Sequence, residues 1–411
     1  MARHAFSNLR AHLEPDGVRI SCYLTTPVFS AQRDDADTIR IRVHRQSVPR
    51  FRWGQDYAEY FDGMDARRAT VVFDGSVCLI NRRKVEFLDS GVRTGVTYVY
   101  WVSTSQGRLR TGPVPIRVRD SGVWWSHAEV MARLRTIAEG HPGLASLTRY
   151  GTTAGGREIG GLILGNRDNL VALVGTIHAG ESGPELVIPA VERLLRENRA
   201  LFADVGVGVL PNVNVDERER LVDGCAWYLR TNARGVDINR NFAADWDRVE
   251  YGYGLVSDDP DAATYRGPQA ESEPETQAVV RFLRDARPRA VFSYHCLASI
   301  TGACFLGPRD GEGDDAFVKA CHAFADPYVG AFHPACDSYG GVRFGASAGS
   351  LPAYAYRVLG VPGFDLEWDG APDAKPSHTD KTTPKLLHTY QERHYRGLLA
   401  TLEKMAASPG S

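Results

Sequence analysis

At 411 residues the chain has room for two or three domains, and 43% apolar with 24% charged residues is the composition of an ordinary globular protein. A formal net charge of -2 gives no electrostatic case for nucleic acid or for an anionic membrane surface. No apolar run reaches the length of about 18 residues that a membrane helix needs. The first residues, MARHAFSNLRAHLEPDG, lack the apolar core of a secretory signal. The seven cysteines form no CxxC pair and read as free thiols, so a cytoplasmic location is expected.

In chain order, residues 1–120 alternate with a period of two. VRISCYLTT, TIRIRVHR and ATVVFDG read as strands. In GVTYVYWVSTSQGRLRTGPVPIRVRD, Val96, Tyr98, Tyr100 and Val102 fall on one strand face, followed by a Gly-bearing turn and a second strand. Short strands at this spacing predict an all-β sandwich. The segment resembles a fibronectin type III-like domain, most clearly from Gly95 to Val118. The resemblance concerns fold, and a role as spacer, interaction module or surface for homo-oligomer formation is the expectation for it.

The pattern changes at residue 121. Ser126 with Glu129 three residues on forms a capping-box pattern before a helical stripe of Val130, Leu134, Ile137 and Ala138, which Pro142 ends. Strands and helices then alternate. LVALVGTI, VGVGVLPNVN and AVFSYH are strands; PELVIPAVERLLREN and SEPETQAVVRFLRDARP are helices. A helix over 384–405 closes this second domain, 121–405, and 406–411 reads as a disordered tail. Continuous apolar strands with covering helices predict an α/β domain whose mixed, mostly parallel sheet is buried on both faces.

The strand LVALVGTI runs directly into His178, with Glu181 three residues later, and AVFSYH ends on His295. Functional groups in open α/β sheets gather beyond the carboxyl ends of such strands. Two histidines and a carboxylate there predict a catalytic zinc site, one ion per chain, with a fourth position left for water. Zinc would bring that water's pKa to about 7 and polarise a carbonyl. His141, His378 and His388 read as surface or packing residues, and Cys296 as a core thiol.

From Ser126 to Met405 the chain resembles the zinc carboxypeptidases of the carboxypeptidase A type. HAGE is similar to the family's HxxE and SYHC to the segment of its third ligand, which implies ligation by His178, Glu181 and His295. GVDINRNF, residues 235–242, is similar to the family's GVDxNRNF, which implies that Asn239 and Arg240 hold the substrate's C-terminal carboxylate. A guanidinium suits that task because it grips a carboxylate through two parallel hydrogen bonds. YRGPQAESEPET is a further family-like run, read locally as a turn with Ser272 capping a helix and Glu275 three residues on.

The resemblance implies an arginine that stabilises the oxyanion. Arg230 in WYLRTNARG is favoured for it over Arg234. It also implies a carboxylate base on a late strand. Strand alternation puts Asp365, Glu367 and Asp369 on one face, and the family's apolar-x-apolar lead-in selects Glu367. The chain departs from the family at one place. Lining up Gly349-Ser350 puts Phe344 where the family has a tyrosine, and phenylalanine cannot donate a hydrogen bond. Tyr339 is the candidate to substitute. Leu351 resembles the residue at the base of the side-chain pocket, where an apolar group disfavours a basic terminal residue.

The expected function is therefore zinc-dependent hydrolysis of the last amide of a peptide or peptide-like substrate with a free C-terminal carboxylate. RTNARGVDINRNF leans toward bacterial members that process cell-wall peptides. The competing readings are a zinc N-acyl amino acid deacylase of the desuccinylase type and an inactive peptide-binding relative.

Overall fold

A computed structural model describes residues 5–25, 38–48, 57–78, 84–105, 110–181, 183–226, 229–249, 255–295, 305–332, 341–367 and 383–408. The chain divides into two compact units: Met1–Asp120 with Arg220–Trp227, and Ser121–Glu219 with Tyr228–Ser411.

The first unit holds β1 (Ala5–Glu14), β2 (Gly17–Thr25), β3 (Thr38–Val48), α1 (Tyr57–Asp62), β4 (Thr70–Cys78), β5 (Lys84–Asp89), β6 (Thr97–Thr104) and β7 (Arg110–Arg117). They form two antiparallel sheets, ordered β1-β2-β5 and β4-β3-β6-β7. Period-two alternation builds the core between them. Val18, Ile20 and Cys22 of β2 meet Ile41 and Val43 of β3 and Tyr98, Tyr100 and Val102 of β6. The opposite face of β6 is also covered, since Val99 and Trp101 pack with Val48 and Phe61.

Ala226, from the separate segment Arg220–Trp227, is buried in that last cluster. The same segment is held by hydrogen bonds from Arg117 N to Gly224 O (2.8 Å) and from Arg119 Nη1 to Leu221 O (2.5 Å). Gly224 is required there. Its φ is +100° and a Cβ would come within 2.7 Å of Ile116.

The second unit is built on an eight-stranded mixed sheet. Its strands are β8 (Ala145–Thr152), β9 (Glu158–Gly165), β10 (Leu170–Gly175), β11 (Gly206–Leu210), β12 (Ala290–His295), β13 (Phe305–Pro308), β14 (Val342–Ala346) and β15 (Gly363–Glu367). The order is β14-β13-β15-β12-β10-β11-β9-β8, and the central run β15-β12-β10-β11 is parallel. Every residue of β10 and of β12 is buried, which only helices on both faces can achieve. The helices of this part of the chain are α2 (His127–Gly140), α3 (Pro184–Glu197), α4 (Val215–Val222, whose last residues from Arg220 belong to the first unit), α5 (Pro274–Ala286), α6 (Asp315–Phe332), the short α7 (Leu351–Tyr354) and α8 (Pro384–Ala407). Helix α5 packs on β8–β11, whereas α8 packs on α3 and α6.

Local signals set most of these limits. Ser126 caps α2, its hydroxyl accepting from Glu129 N at 3.3 Å, and Val130, Leu134 and Ile137 are buried. The Ser272 cap is corrected. Helix α5 begins one residue later than that cap requires, with Glu273 at the N-cap and Pro274 in the first turn. Ser272 Oγ instead accepts from Asn241 Nδ2 and donates to Glu273 Oε1. Helix α8 likewise takes in Ala406 and Ala407 of the expected tail, as strong helix formers ahead of Pro409 would. Among the described residues Cys22, Cys78 and Cys321 are free thiols, and no helix is long and apolar enough to cross a membrane. Tyr339, Asp369, His378 and Cys296 lie outside the described residues.

Candidate metal centre

Strand β10 ends at Gly175, and Thr176 then adopts φ +55°, an uncommon conformation for a β-branched residue. Its neighbours enforce it. Thr176 Oγ1 donates to Pro211 O at 2.9 Å, and Asn214 N donates to Thr176 O at 3.0 Å. The chain then closes a tight turn, with Glu181 N donating to His178 O at 3.1 Å. That turn folds the two side chains together, and His178 Nδ1 lies 3.2 Å from Glu181 Oε1.

His295 ends β12, the parallel neighbour of β10, so its imidazole leaves the sheet at the same end. Its Nδ1 is 2.9 Å from Glu181 Oε2, and the two histidine rings meet edge to face with centroids 4.9 Å apart. All three residues are buried and one ligand atom from each lies within 4.8 Å of the others. Both imidazoles thus turn Nδ1 toward the same carboxylate.

The far nitrogens are engaged as well. His178 Nε2 is 3.2 Å from Asp237 Oδ1, while His295 Nε2 is 2.9 Å from Ser293 Oγ and 3.2 Å from Asp365 Oδ1. A carboxylate behind each imidazole holds the proton on Nε2 and leaves the Nδ1 lone pair for a cation. The donor chemistry, two imidazole nitrogens and a carboxylate, fits a divalent zinc ion. Burial works against charge on Glu181, yet the two imidazoles hold its carboxyl well below the usual range. Burial also works against a charged His295, but Asp365 and Glu181 raise it well above the ordinary imidazole value.

Asp237 escaped the sequence reading, although it sits inside GVDINRNF. It is fully buried, which disfavours its charge, but Arg230, His178 and Arg240 hold its carboxyl low. Arg230 donates from Nε to Asp237 Oδ2 at 2.9 Å, with Nη2 2.8 Å from the same oxygen. Arg230 is therefore one carboxylate away from the cluster. Arg234 is half-exposed and 3.8 Å from Glu273.

Asn239 is buried and bridges two elements. Its Oδ1 accepts from Leu351 N at 2.9 Å and its Nδ2 donates to Asp365 Oδ2 at 2.9 Å. One amide hydrogen is thereby committed inside the protein, so only the second is available to a ligand. Arg240 is buried beside it, with Nη1 donating to Asn239 O at 2.7 Å. The backbone approach here is close. A Cβ on Gly349, at φ +68°, would lie 2.2 Å from Arg240 O, so Gly349 seats the arginine turn against the loop before α7.

Glu367 is the register partner of His295 in the parallel β12–β15 pair, as Asp365 is of Ser293. Partners in register share a face, so Glu367, Asp365, His295 and Ser293 all leave the sheet on one side. Leu351 is buried in the core cluster at the start of α7. The ring of Phe344 lies over Gly307 on the neighbouring strand β13. His141 pairs with Arg199, and His388 is exposed on α8.

Fold and site together define a class: an α/β protein with a two-histidine, one-glutamate cluster that could hold a metal at the carboxyl ends of its parallel strands. Residues 130–370 match the zinc carboxypeptidase family, Peptidase_M14, and the chain belongs to that family. Murein peptide amidase A of Escherichia coli strain K12 is 40% identical over 101 residues, which is 24% of this chain and 40% of that protein. Carboxypeptidase A6 of Homo sapiens is 30% identical over 198 residues, 43% of this chain and 44% of that protein. The chain thus spans less than half the length of these relatives. In fold it resembles the carboxypeptidase A of Helicoverpa armigera, with a TM-score of 0.59 and 18% identity over 72% of this chain and 76% of that one.

Proposed function

We propose that the chain is a zinc-dependent metallocarboxypeptidase, with one ion per chain, that hydrolyses the C-terminal amide of a peptide or peptide-like substrate. The observation that carries this reading is the buried His178–Glu181–His295 cluster, with all three ligand atoms within 4.8 Å and a carboxylate behind each histidine. Zinc, when bound, acts as a Lewis acid that polarises the scissile carbonyl and acidifies water. The chain's own residues do the rest. Arg240 grips the terminal carboxylate, aided by the second amide hydrogen of Asn239. Leu351 and Phe344 bound the side-chain pocket, and Tyr339 is the candidate to supply the hydrogen bond that Phe344 cannot. Arg230 donates to the oxyanion, and Glu367 takes a proton from water and returns it to the leaving amine.

The stretch shared with murein peptide amidase A supports cell-wall peptides as the substrate class. The free thiols among the described residues support a cytoplasmic location. We also read the first unit as fibronectin type III-like. Its three-plus-four strand order supports this, as does Tyr98 near the start of β6, whose hydroxyl accepts from Arg93 N at 3.0 Å in the manner of a tyrosine corner. A structural role for it is supported by its inclusion of Arg220–Trp227, the segment of chain that leads on to Arg230.

The test is a peptide library with free and amidated C-termini, including D-residues and γ-linked cell-wall-type peptides. It is digested with zinc-loaded and chelator-stripped protein and read by mass spectrometry. Truncation by one residue, only at free C-termini and only with metal, is the expected result. Release of N-acyl groups from blocked amino acids, or equal turnover after stripping, would overturn the reading.

A second prediction separates the two arginines. Arg230→Lys keeps a cation beside Asp237 but loses the planar fork. It is expected to lower kcat by roughly 100-fold or more, the scale of one lost oxyanion donor. Arg234→Ala is expected to leave kcat within about 3-fold, as fits a solvated side chain. Steady-state kinetics on one good substrate decides between them.

A further inference from the structure

We propose that Asp365 is a positioning residue that fixes the imidazole of His295 for metal binding and ties it, through Asn239, to the turn carrying Arg240 and to the start of α7. The proposal rests on the zinc reading above.

Four groups stand in line as a relay, joined by one ion-pair contact and two hydrogen bonds. His295 Nε2 lies 3.2 Å from Asp365 Oδ1. Asp365 Oδ2 accepts from Asn239 Nδ2 at 2.9 Å, and Asn239 Oδ1 accepts from Leu351 N at 2.9 Å. Asp365 is 5% exposed and Asn239 2%, so solvent does not replace either partner. Ser293 Oγ also reaches His295 Nε2, at 2.9 Å. A hydroxyl can give or take a hydrogen, so Ser293 accepts either tautomer of the imidazole. A carboxylate only accepts, so Asp365 places the proton on Nε2 and clears Nδ1 for the ion. Asp237 does the same for His178, at 3.2 Å from its Nε2. The two carboxylates differ in their counter-charges. Asp237 is matched by Arg230, whereas the contacts of Asp365 are a metal-facing histidine and a neutral amide.

The orientation of Asn239 follows from this relay. Its oxygen must face Leu351 N and its nitrogen must face Asp365, so the amide cannot flip. Asp365→Asn breaks the relay whichever way the introduced amide turns. With its oxygen toward His295, two NH2 groups face each other. With its oxygen toward Asn239, an NH2 group faces the Nε2 hydrogen and drives the proton to Nδ1, where the metal should sit. The exchange Asp365→Asn with Asn239→Asp restores every pairing. The amide introduced at position 365 accepts from His295 and donates to the carboxylate introduced at position 239, which in turn accepts from Leu351 N.

The experiment measures zinc affinity by competition with a chromophoric chelator, together with the melting temperature of the metal-free protein. Asp365→Asn is expected to weaken zinc binding by roughly 10- to 100-fold. Its metal-free melting temperature reads the separate cost of the mispaired buried amide, so zinc affinity is compared at a temperature where the metal-free variant is fully folded. The double exchange is expected to recover at least half of the lost affinity on a logarithmic scale, although it sacrifices activity at Asn239. Zinc binding by Asp365→Asn within about 3-fold of the parent would overturn the proposal. So would a double exchange no tighter than the single variant, and this second arm holds even if the single variant folds poorly. A parent protein that binds no zinc would instead bring down the metallocarboxypeptidase reading itself, which distinguishes the two failures.

Discussion

Replacing Glu367 by glutamine is expected to leave zinc content and affinity unchanged and to cut turnover by roughly 100-fold or more. The side chain ends β15 in register with His295, so the sheet delivers it to the same side as the metal cluster. It is 7% exposed, in a setting where water is scarce and a fixed carboxylate can act on one chosen molecule. Glutamine keeps the shape and the hydrogen-bonding reach but cannot carry a proton away. Because Glu367 is not among the three clustered ligands, metal retention and rate should separate cleanly. Unchanged turnover with full zinc occupancy would remove Glu367 from the mechanism and leave the base unassigned. Asp365 is a poor substitute, since both its oxygens are already directed at His295 and Asn239.

How far the sequence could be read depended on where the controlling forces lie. The central strands were legible because burial on both faces demands uninterrupted apolar runs, as in LVALVG. The convergence of His178, Glu181 and His295 was legible because strand ends are fixed points. A histidine that closes β12 must emerge beside the loop that follows β10. Supporting groups were far less visible. Asp365 and Glu367 have the same alternation; the family resemblance singles out Glu367, while the contacts of Asp365 with His295 and Asn239 are visible only in the structure. Asp237 lay inside a motif already singled out, but its role depends on a histidine 59 residues away. The family resemblance assigns Asn239 to the substrate's carboxylate, while half of its hydrogen-bonding capacity serves the protein's interior. The Ser272 cap failed for a similar reason. A hydroxyl that suits a helix N-terminus was claimed by Asn241 and Glu273, and Pro274 supplied the start instead. Nothing in the local pattern of Arg220–Trp227 marks it as part of the first unit, because its anchors, Arg117 and Arg119, are a hundred residues away.

The other large effect expected is on stability, at Arg218. This guanidinium is fully buried and forms an ion pair with the equally buried Glu185. It also donates to Ala179 O at 3.3 Å and Glu181 O at 3.1 Å, and it stacks on Trp124 at 4.4 Å. Glu185 in turn accepts from Trp125 N at 2.8 Å. Arg218 therefore braces from behind the loop that carries His178 and Glu181. Removing one partner of a buried pair leaves the other charge uncompensated, which costs about 3–5 kcal/mol. Arg218→Met should lose that much in urea unfolding of the metal-free protein. Arg218→Met combined with Glu185→Gln should recover most of it, since no charge then remains stranded and a neutral amide can still accept from Trp125 N. Zinc affinity should follow a different course. The carbonyls of Ala179 and Glu181 lose their donor in both variants, so the double variant regains stability without regaining affinity. If affinity returned along with stability, the loop would need no brace, and Arg218 would matter only as the partner of Glu185.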